Sequence, residues 1–221
     1  MRLPISRYGL REVFLSTFLL SLLFLLSLYL LSPTSLKIAV PLFLTAIAFV
    51  FYFFRDPERP ILKDERKLLA PADGRVMEIA LVEEKEFLHK EATKISIFMS
   101  LFDVHVNRIP CSGRVEYLRH QDGRFLDARK KEASLENECN FIGLVADGGR
   151  RLLVKQVAGI IARRIVCPLS TGDYLEQGQR FGMIKFGSRV EVFIPKEIPC
   201  KVLVKEGQKV KAGLTILAEL G

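Results

Sequence analysis

The 221-residue sequence contains no tryptophan, only three histidines and only four cysteines, and each scarcity narrows the chemistry available to it. Cys111, Cys139, Cys167 and Cys200 are far apart, form no C-x-x-C pair and have no histidine nearby. That spacing argues against a zinc site, and the four residues read as buried thiols. No glycine-rich phosphate loop or cluster of metal-ligating side chains is evident, so neither a metal nor a nucleic-acid partner is expected.

Charge is also missing, from two long stretches. Val13 to Leu31 (VFLSTFLLSLLFLLSLYLL) and Ile38 to Phe54 (IAVPLFLTAIAFVFYFF) carry none. As helices, each is roughly long enough to cross a hydrocarbon core of about 30 Å. SPTSLK between them reads as the turn of a helical hairpin, with Pro41 near the start of the second span. A secretory signal is the competing reading. The first run is too long for one, lacks a small-residue cleavage site and is followed at once by a second span. Arg2, Arg7 and Arg11 precede the hairpin, Arg55, Arg59, Lys63, Arg66 and Lys67 follow it, and Lys37 alone lies in the turn. The positive-inside rule then puts the N-terminus and everything after Phe54 on the cytoplasmic side of the cell (inner) membrane.

The expected organisation is an anchor over residues 1–54, a charged, proline-punctuated linker over 55–72 and a cytoplasmic domain over 73–221. The formal net charge of +8 suits a surface facing anionic lipid, as it would many basic soluble domains. After the linker, short β-branched runs alternate with glycine and charged turns, and the pattern predicts strands over 74–82, 93–98, 113–117, 140–146, 151–156, 181–185, 189–194 and 201–204. Val157 to Val166 is the best helical candidate. The fold class is therefore mainly β, sandwich- or barrel-like with few short helices, behind a two-helix transmembrane hairpin. GDYLEQGQRFGMIKFG (172–187) and VLVKEGQKVKAGLTILAEL (202–220) repeat a Gly-Gln turn before a strand. This phrasing resembles the flattened sandwich of lipoyl and biotinyl carriers, but no hairpin displaying a modified lysine accompanies it.

Few residues remain for chemistry. His89 and His120 lie among charged neighbours and read as solvated loop positions. His105 sits in ISIFMSLFDVHVNRIPCSGRVEY, close to Asp103, Asn107 and Arg108 at the end of an apolar run. Taken alone, a histidine there is more often structural than catalytic. Asp73 in APADGRV is strong turn chemistry, and a plain turn is its simplest reading. In FGMIKFGSRVEVFIP, Gly187-Ser188 interrupts a strand pattern where packing would favour Val or Ile, most simply as a bulge. One Ser, one His and one Asp would let a carboxylate orient a base that activates a hydroxyl, although residue types alone carry little weight.

Taken together, the hairpin, the ADG turn at Asp73, FDVHVNRIPCSG and the late FGSR resemble phosphatidylserine decarboxylases, in particular the short membrane-anchored form of bacteria and archaea. The resemblance covers essentially the whole chain. It implies a proenzyme that cuts itself between Gly187 and Ser188 into large (1–187) and small (188–221) chains, which remain together as a heterodimer. It also implies that Ser188 becomes a pyruvoyl group, the only cofactor required. That group would form a Schiff base with the amine of the phospholipid substrate and act as electron sink for loss of CO2. By the same resemblance His105 and Asp73 are the acid/base partners of Ser188 in self-cleavage, with Asp73 orienting the imidazole. The sequence departs from the long forms in two places: Arg108 stands where their second histidine falls, and Phe-Gly-Ser-Arg replaces Leu-Gly-Ser-Thr. Arg189 is a candidate cation for the lipid phosphate, and Arg108 and Asn107 are candidate substrate contacts. Phosphatidylserine and its archaeal ether counterpart both remain open as substrates. A non-catalytic lipoyl-like module tethered to the membrane and a serine hydrolase using Ser188 and His105 are the alternatives.

Overall fold

In the computed structural model residues 4–160, 165–185 and 187–221 are described, and the chain divides into two compact units, Met1–Glu58 and Arg59–Gly221. The first unit is a pair of helices, α1 (Leu10–Leu30) and α2 (Pro33–Phe53). Their most apolar 18-residue stretches have mean hydropathies of 2.4 and 2.1, and with their lengths these suffice to cross a membrane. Leucine-rich sequence propagates a helix readily, and the embedded hydroxyls bond back onto it: Thr17 Oγ1 donates to Val13 O at 2.6 Å and Ser27 Oγ to Phe24 O at 2.7 Å. Phe24 and Phe43 stack at 4.4 Å between the helices, while Phe14, Tyr29, Ile38 and Leu42 point outward, each more than two-thirds exposed. Such an apolar exterior suits hydrocarbon better than water.

The turn is shorter than the sequence pattern suggested. Ser32 caps α2 by accepting the Ser35 N–H, and Pro33 takes the first helical position, so most of SPTSLK is already helix. Proline at that position loses only an N–H that no helical carbonyl would accept. Pro41 consequently lies inside α2 rather than near its start.

The second unit is mainly β. In chain order its strands are β1 (Lys67–Leu69), β2 (Gly74–Glu84), β3 (Lys90–Met99), β4 (Val106–Arg108), β5 (Gly113–Gln121), β6 (Cys139–Ala146) and β7 (Arg151–Val157). There follow β8 (Ile165–Val166), β9 (Tyr174–Leu175), β10 (Arg180–Ile184), β11 (Ser188–Pro195), β12 (Cys200–Val202), β13 (Lys209–Val210) and β14 (Ile216–Leu220). A single turn of helix, α3 (Ala133–Glu136), precedes β6. An antiparallel sheet runs in the order β13-β2-β3-β11-β7-β6-β5-β9, with register breaks in β2 after Val76 and in β5 after Val115 that help it curl. Two three-stranded sheets, β1-β14-β12 and β4-β10-β8, complete the unit. Helix over 157–166 is not observed: Val157 ends β7 and Ile165–Val166 pairs with β10, while 161–164 lie outside the described residues.

Strand β11 is buried along its whole length. Val190, Val192 and Ile194 enter the main core with Ile95, Ile97, Leu144 and Val154, and Phe193 packs on the other face with Phe87, Phe141 and Leu153. A central strand covered on both faces reads as a near-continuous apolar run, and this one does so only from Val192 onward, after the buried Ser188, Arg189 and Glu191.

The Gly-Gln echo is a repeated turn. Gln179 Oε1 accepts the Glu176 N–H at 3.0 Å and Gln208 Oε1 accepts the Lys205 N–H at 3.1 Å. Gly178 and Gly207 adopt φ of 77° and 81°, the left-handed region in which a side chain is strained. Each turn pairs with a strand beside the candidate site: Ile109 N donates to Gln179 O and Val76 N to Gln208 O.

Candidate active site

The Gly187-Ser188 bond lies where the chain passes from one sheet to another. Strand β10 belongs with β4 and β8, whereas β11 starts at Ser188 in the middle of the large sheet, opposite Met99 of β3. Gly187 takes up the change of direction with φ +58°, and its carbonyl oxygen passes so close to Gly159 that a Cβ there would lie 1.8 Å away. Both glycines are therefore required by backbone geometry. Ser188 is 0 % exposed, and its Oγ has no hydrogen-bond partner among the described residues. A buried hydroxyl without a partner costs stability, and such groups concentrate where function requires them.

His105 lies just before β4, fully buried, and its carbonyl accepts the Ile184 N–H at 3.3 Å. That contact ties it to the end of β10, three residues before Gly187. Asp73 precedes β2 and is 8 % exposed. Arg59 grips its carboxylate with two nitrogens at 2.6 and 2.8 Å, and Ala212 N donates to Oδ1 at 2.8 Å. Gly74 then runs against the Phe98 carbonyl, where a Cβ would lie 2.0 Å away, and Phe98 adjoins Met99. The Arg108 N–H donates to Pro71 O at 2.9 Å, so the Asp73 turn and the His105 segment meet beside β3. Ser188 faces Met99 of β3, His105 is tied to the end of β10, and Asp73 directly precedes the Gly74 contact with Phe98.

Asn107 is fully buried. Its Nδ2 donates to Met99 Sδ at 3.6 Å and its Oδ1 accepts Gln156 Nε2 at 2.8 Å. Arg108 Nη1 donates to Gly178 O at 3.0 Å and is only 4 % exposed. Arg189 is not open to solvent either. Its Nε lies 3.1 Å from Glu191 Oε1, an ion pair out of line for a hydrogen bond, and Glu191 also accepts the Ser134 hydroxyl at 2.8 Å. The cation beside Ser188 is thus already matched by an internal carboxylate.

A groove of about 310 Å³ opens beside Gly187, lined by Phe98, Leu101, Phe102, Ala128 and Ile160 with Arg129 and Asp127 at one side. Phe102 and Ile160 are the most exposed of its large apolar side chains, at 65 % and 59 %. The four cysteines are all unpaired, but only Cys111 and Cys139 are buried, whereas Cys167 and Cys200, expected to be buried, are partly exposed; burial pushes the Cys111 thiol up to about 12 and the Cys167 thiol to about 11. Among the described residues no group of metal-ligating side chains occurs. His89 is an exposed loop residue just before β3, but His120 is on β5 rather than in a loop, its Nδ1 2.7 Å from Asn140 Oδ1.

Arg59, Glu191, Gln156 and Gly159 escaped sequence reasoning. Gln156 and Glu191 did leave a signal, since each is a polar residue flanked by a valine within a strand pattern. Arg59 left none, because its partner is fixed by folding rather than by spacing.

Residues 46–218 match the family model described as phosphatidylserine decarboxylase. Curated relatives named phosphatidylserine decarboxylase proenzyme occur in Symbiobacterium thermophilum and Carboxydothermus hydrogenoformans, each 49 % identical over 172 residues. That alignment spans 78 % of this chain and 79 % and 80 % of theirs. A third, from Pelobacter propionicus, is 49 % identical over 180 residues, 81 % of this chain and 80 % of its own. With a glycine-serine junction at a change of sheet and a match over most of its length, the chain belongs to the phosphatidylserine decarboxylase family.

Proposed function

We propose that this chain decarboxylates phosphatidylserine to phosphatidylethanolamine after cutting itself between Gly187 and Ser188. The observation that carries the proposal is the pairing of a left-handed Gly187 with a buried, unpartnered Ser188 hydroxyl. In self-cleavage Ser188 Oγ attacks the Gly187 carbonyl carbon, and the peptide C–N bond gives way to an ester. Elimination then breaks the Ser188 Cβ–Oγ bond, leaving Gly187 as a carboxylate and residue 188 as dehydroalanine. Water adds, ammonia leaves, and the small chain begins with a pyruvoyl group.

His105, held against β10, is the base that takes the hydroxyl proton. Asp73 is the carboxylate that orients it, and to do so it must exchange part of its Arg59 contact for the imidazole. The residues present fit the group: position 188 is enclosed, and Asn107 offers amide hydrogens beside Met99. A pyruvoyl carbonyl supplies an electrophile for the substrate amine and a sink for the electrons released as CO2 departs. The groove at Gly187 gives the lipid its approach, with Phe102 and Ile160 beside its apolar part. Asn107 and Arg108 remain the proposed headgroup contacts, whereas Arg189 would serve the phosphate only by leaving Glu191.

The two helices would anchor the chain in the cell membrane, with residues 55–221 on the cytoplasmic side, close to the headgroups. After cleavage β11 would keep chains 1–187 and 188–221 together as a heterodimer, since it pairs with both β3 and β7.

Intact mass and a denaturing gel of purified protein test the proposal. Two fragments divided at 187/188, the smaller with a blocked N-terminus, are expected, and Ser188→Ala should leave one full-length band. An uncut wild-type chain without decarboxylase activity would refute it.

A further inference from the structure

Behind Asn107 a line of side chains runs to the surface through three neighbouring strands. His120 on β5, Asn140 on β6 and Gln156 on β7 are direct register partners. His120 Nδ1 contacts Asn140 Oδ1 at 2.7 Å, Asn140 Nδ2 donates to Gln156 Oε1 at 3.3 Å, and Gln156 Nε2 donates to Asn107 Oδ1 at 2.8 Å. Asn107 Nδ2 then donates to Met99 Sδ at 3.6 Å. His120 is exposed, while Asn140, Gln156 and Asn107 are buried.

Every amide in this line points the same way, and the Met99 end sets the direction. A thioether sulfur can only accept, whereas the His120 Nδ1, whose ring also meets Asp122 Oδ1 through Nε2 at 3.3 Å, takes either role according to its tautomer. An amide that turned over would bring two oxygens or two NH2 groups together, so the three amides turn over together or not at all. We infer that Gln156 and Asn140 are positioning residues, whose ladder holds Asn107 so that N–H donors, and not its carbonyl oxygen, face the corner formed by Met99 and Ser188. A donor there favours the negative charge that passes from the deprotonated Ser188 oxygen to the Gly187 carbonyl oxygen as the bond forms, and an acceptor would oppose it. The inference rests on the self-cleavage reading above.

An isosteric change far from the scissile bond tests it. Asn140→Asp replaces the donor with an acceptor and obliges Gln156, and then Asn107, to turn over, putting Asn107 Oδ1 at the corner. Asn140→Ser retains a hydroxyl that both accepts and donates, and so preserves the direction. Self-cleavage of the full chain during cell-free synthesis in nanodiscs is followed by gel, with thermal melting as the check on folding. The expected result is at least tenfold slower cleavage for Asn140→Asp and less than threefold for Asn140→Ser, with both melting close to wild type. Cleavage of Asn140→Asp at the wild-type rate or faster overturns the inference. Equal slowing of the two variants also overturns it, because it marks a merely structural role. Should Asn140→Asp fail to fold, Gln156→Met frees the Asn107 amide without adding charge. At least threefold slowing is then expected, and unchanged cleavage overturns the inference. If the wild-type chain itself is not cut, the self-cleavage reading fails and the ladder with it. If wild type and Asn140→Asp cut equally, only the ladder fails.

Discussion

The carbonyl oxygen of Gly187 occupies the space where a side chain on Gly159 would begin, 1.8 Å from a Cβ built there. No Cβ tolerates such a contact, and the obstruction would be backbone rather than a flexible side chain. The Gly187 carbonyl is thus located by the absence of a single methyl group on the neighbouring strand extension.

Gly159→Ala should therefore push the 187–188 peptide out of place while leaving the catalytic side chains intact. At least tenfold slower appearance of the small chain is expected in a pulse-chase gel, with a loss of about 1–3 kcal/mol in stability from overpacking. Wild-type processing of this variant would show that the close approach has no part in cleavage.

Arg189 and Glu191 form an ion pair exposed by 3 % and 0 %, next to Ser188. Removing one member of a buried pair costs about 3–5 kcal/mol, because the other charge is left uncompensated. Glu191→Gln should accordingly lower the melting temperature by many degrees, and the double variant Glu191→Gln with Arg189→Met should recover most of the loss. If the double variant melts no higher than the single one, the pair is not the reason for either residue.

The absence of tryptophan makes the groove at Gly187 directly observable. Phe102 is 65 % exposed on its rim, and Phe102→Trp places the sole indole of the chain there. In nanodiscs, brominated phosphatidylserine should quench its emission more strongly than brominated phosphatidylcholine at equal bromine content. Equal quenching by the two lipids would count against entry of the substrate through this groove.

The sequence by itself determined a good deal. Two uncharged runs long enough to span a membrane dictate two apolar helices, because a helix length is a count of residues. Alternating and β-branched runs placed most of the larger strands to within a few residues, and the Gly-Gln echo foretold one turn built twice. Gly187-Ser188 was conspicuous because packing offers no reason for it within a strand. The failures have a common origin. Val157 to Val166 is apolar enough to be helix, and only pairing of its ends with β11 and β10 decided otherwise. Pro41 was misplaced because the Ser32 cap, a three-residue geometry, moved the helix start forward.

Only the tertiary structure decided what surrounds the serine. Met99, Asn107, Gln156 and Ser188 are scattered over ninety positions, and strand register alone makes them neighbours. The partnership of Asp73 with Arg59, and of Arg189 with Glu191 rather than solvent, likewise follows from which faces are buried. Local pattern records periodicity and turn chemistry, which act over a few residues. The environment of a reacting group is set by contacts between strands distant in sequence, and those exist only once the sheet has formed.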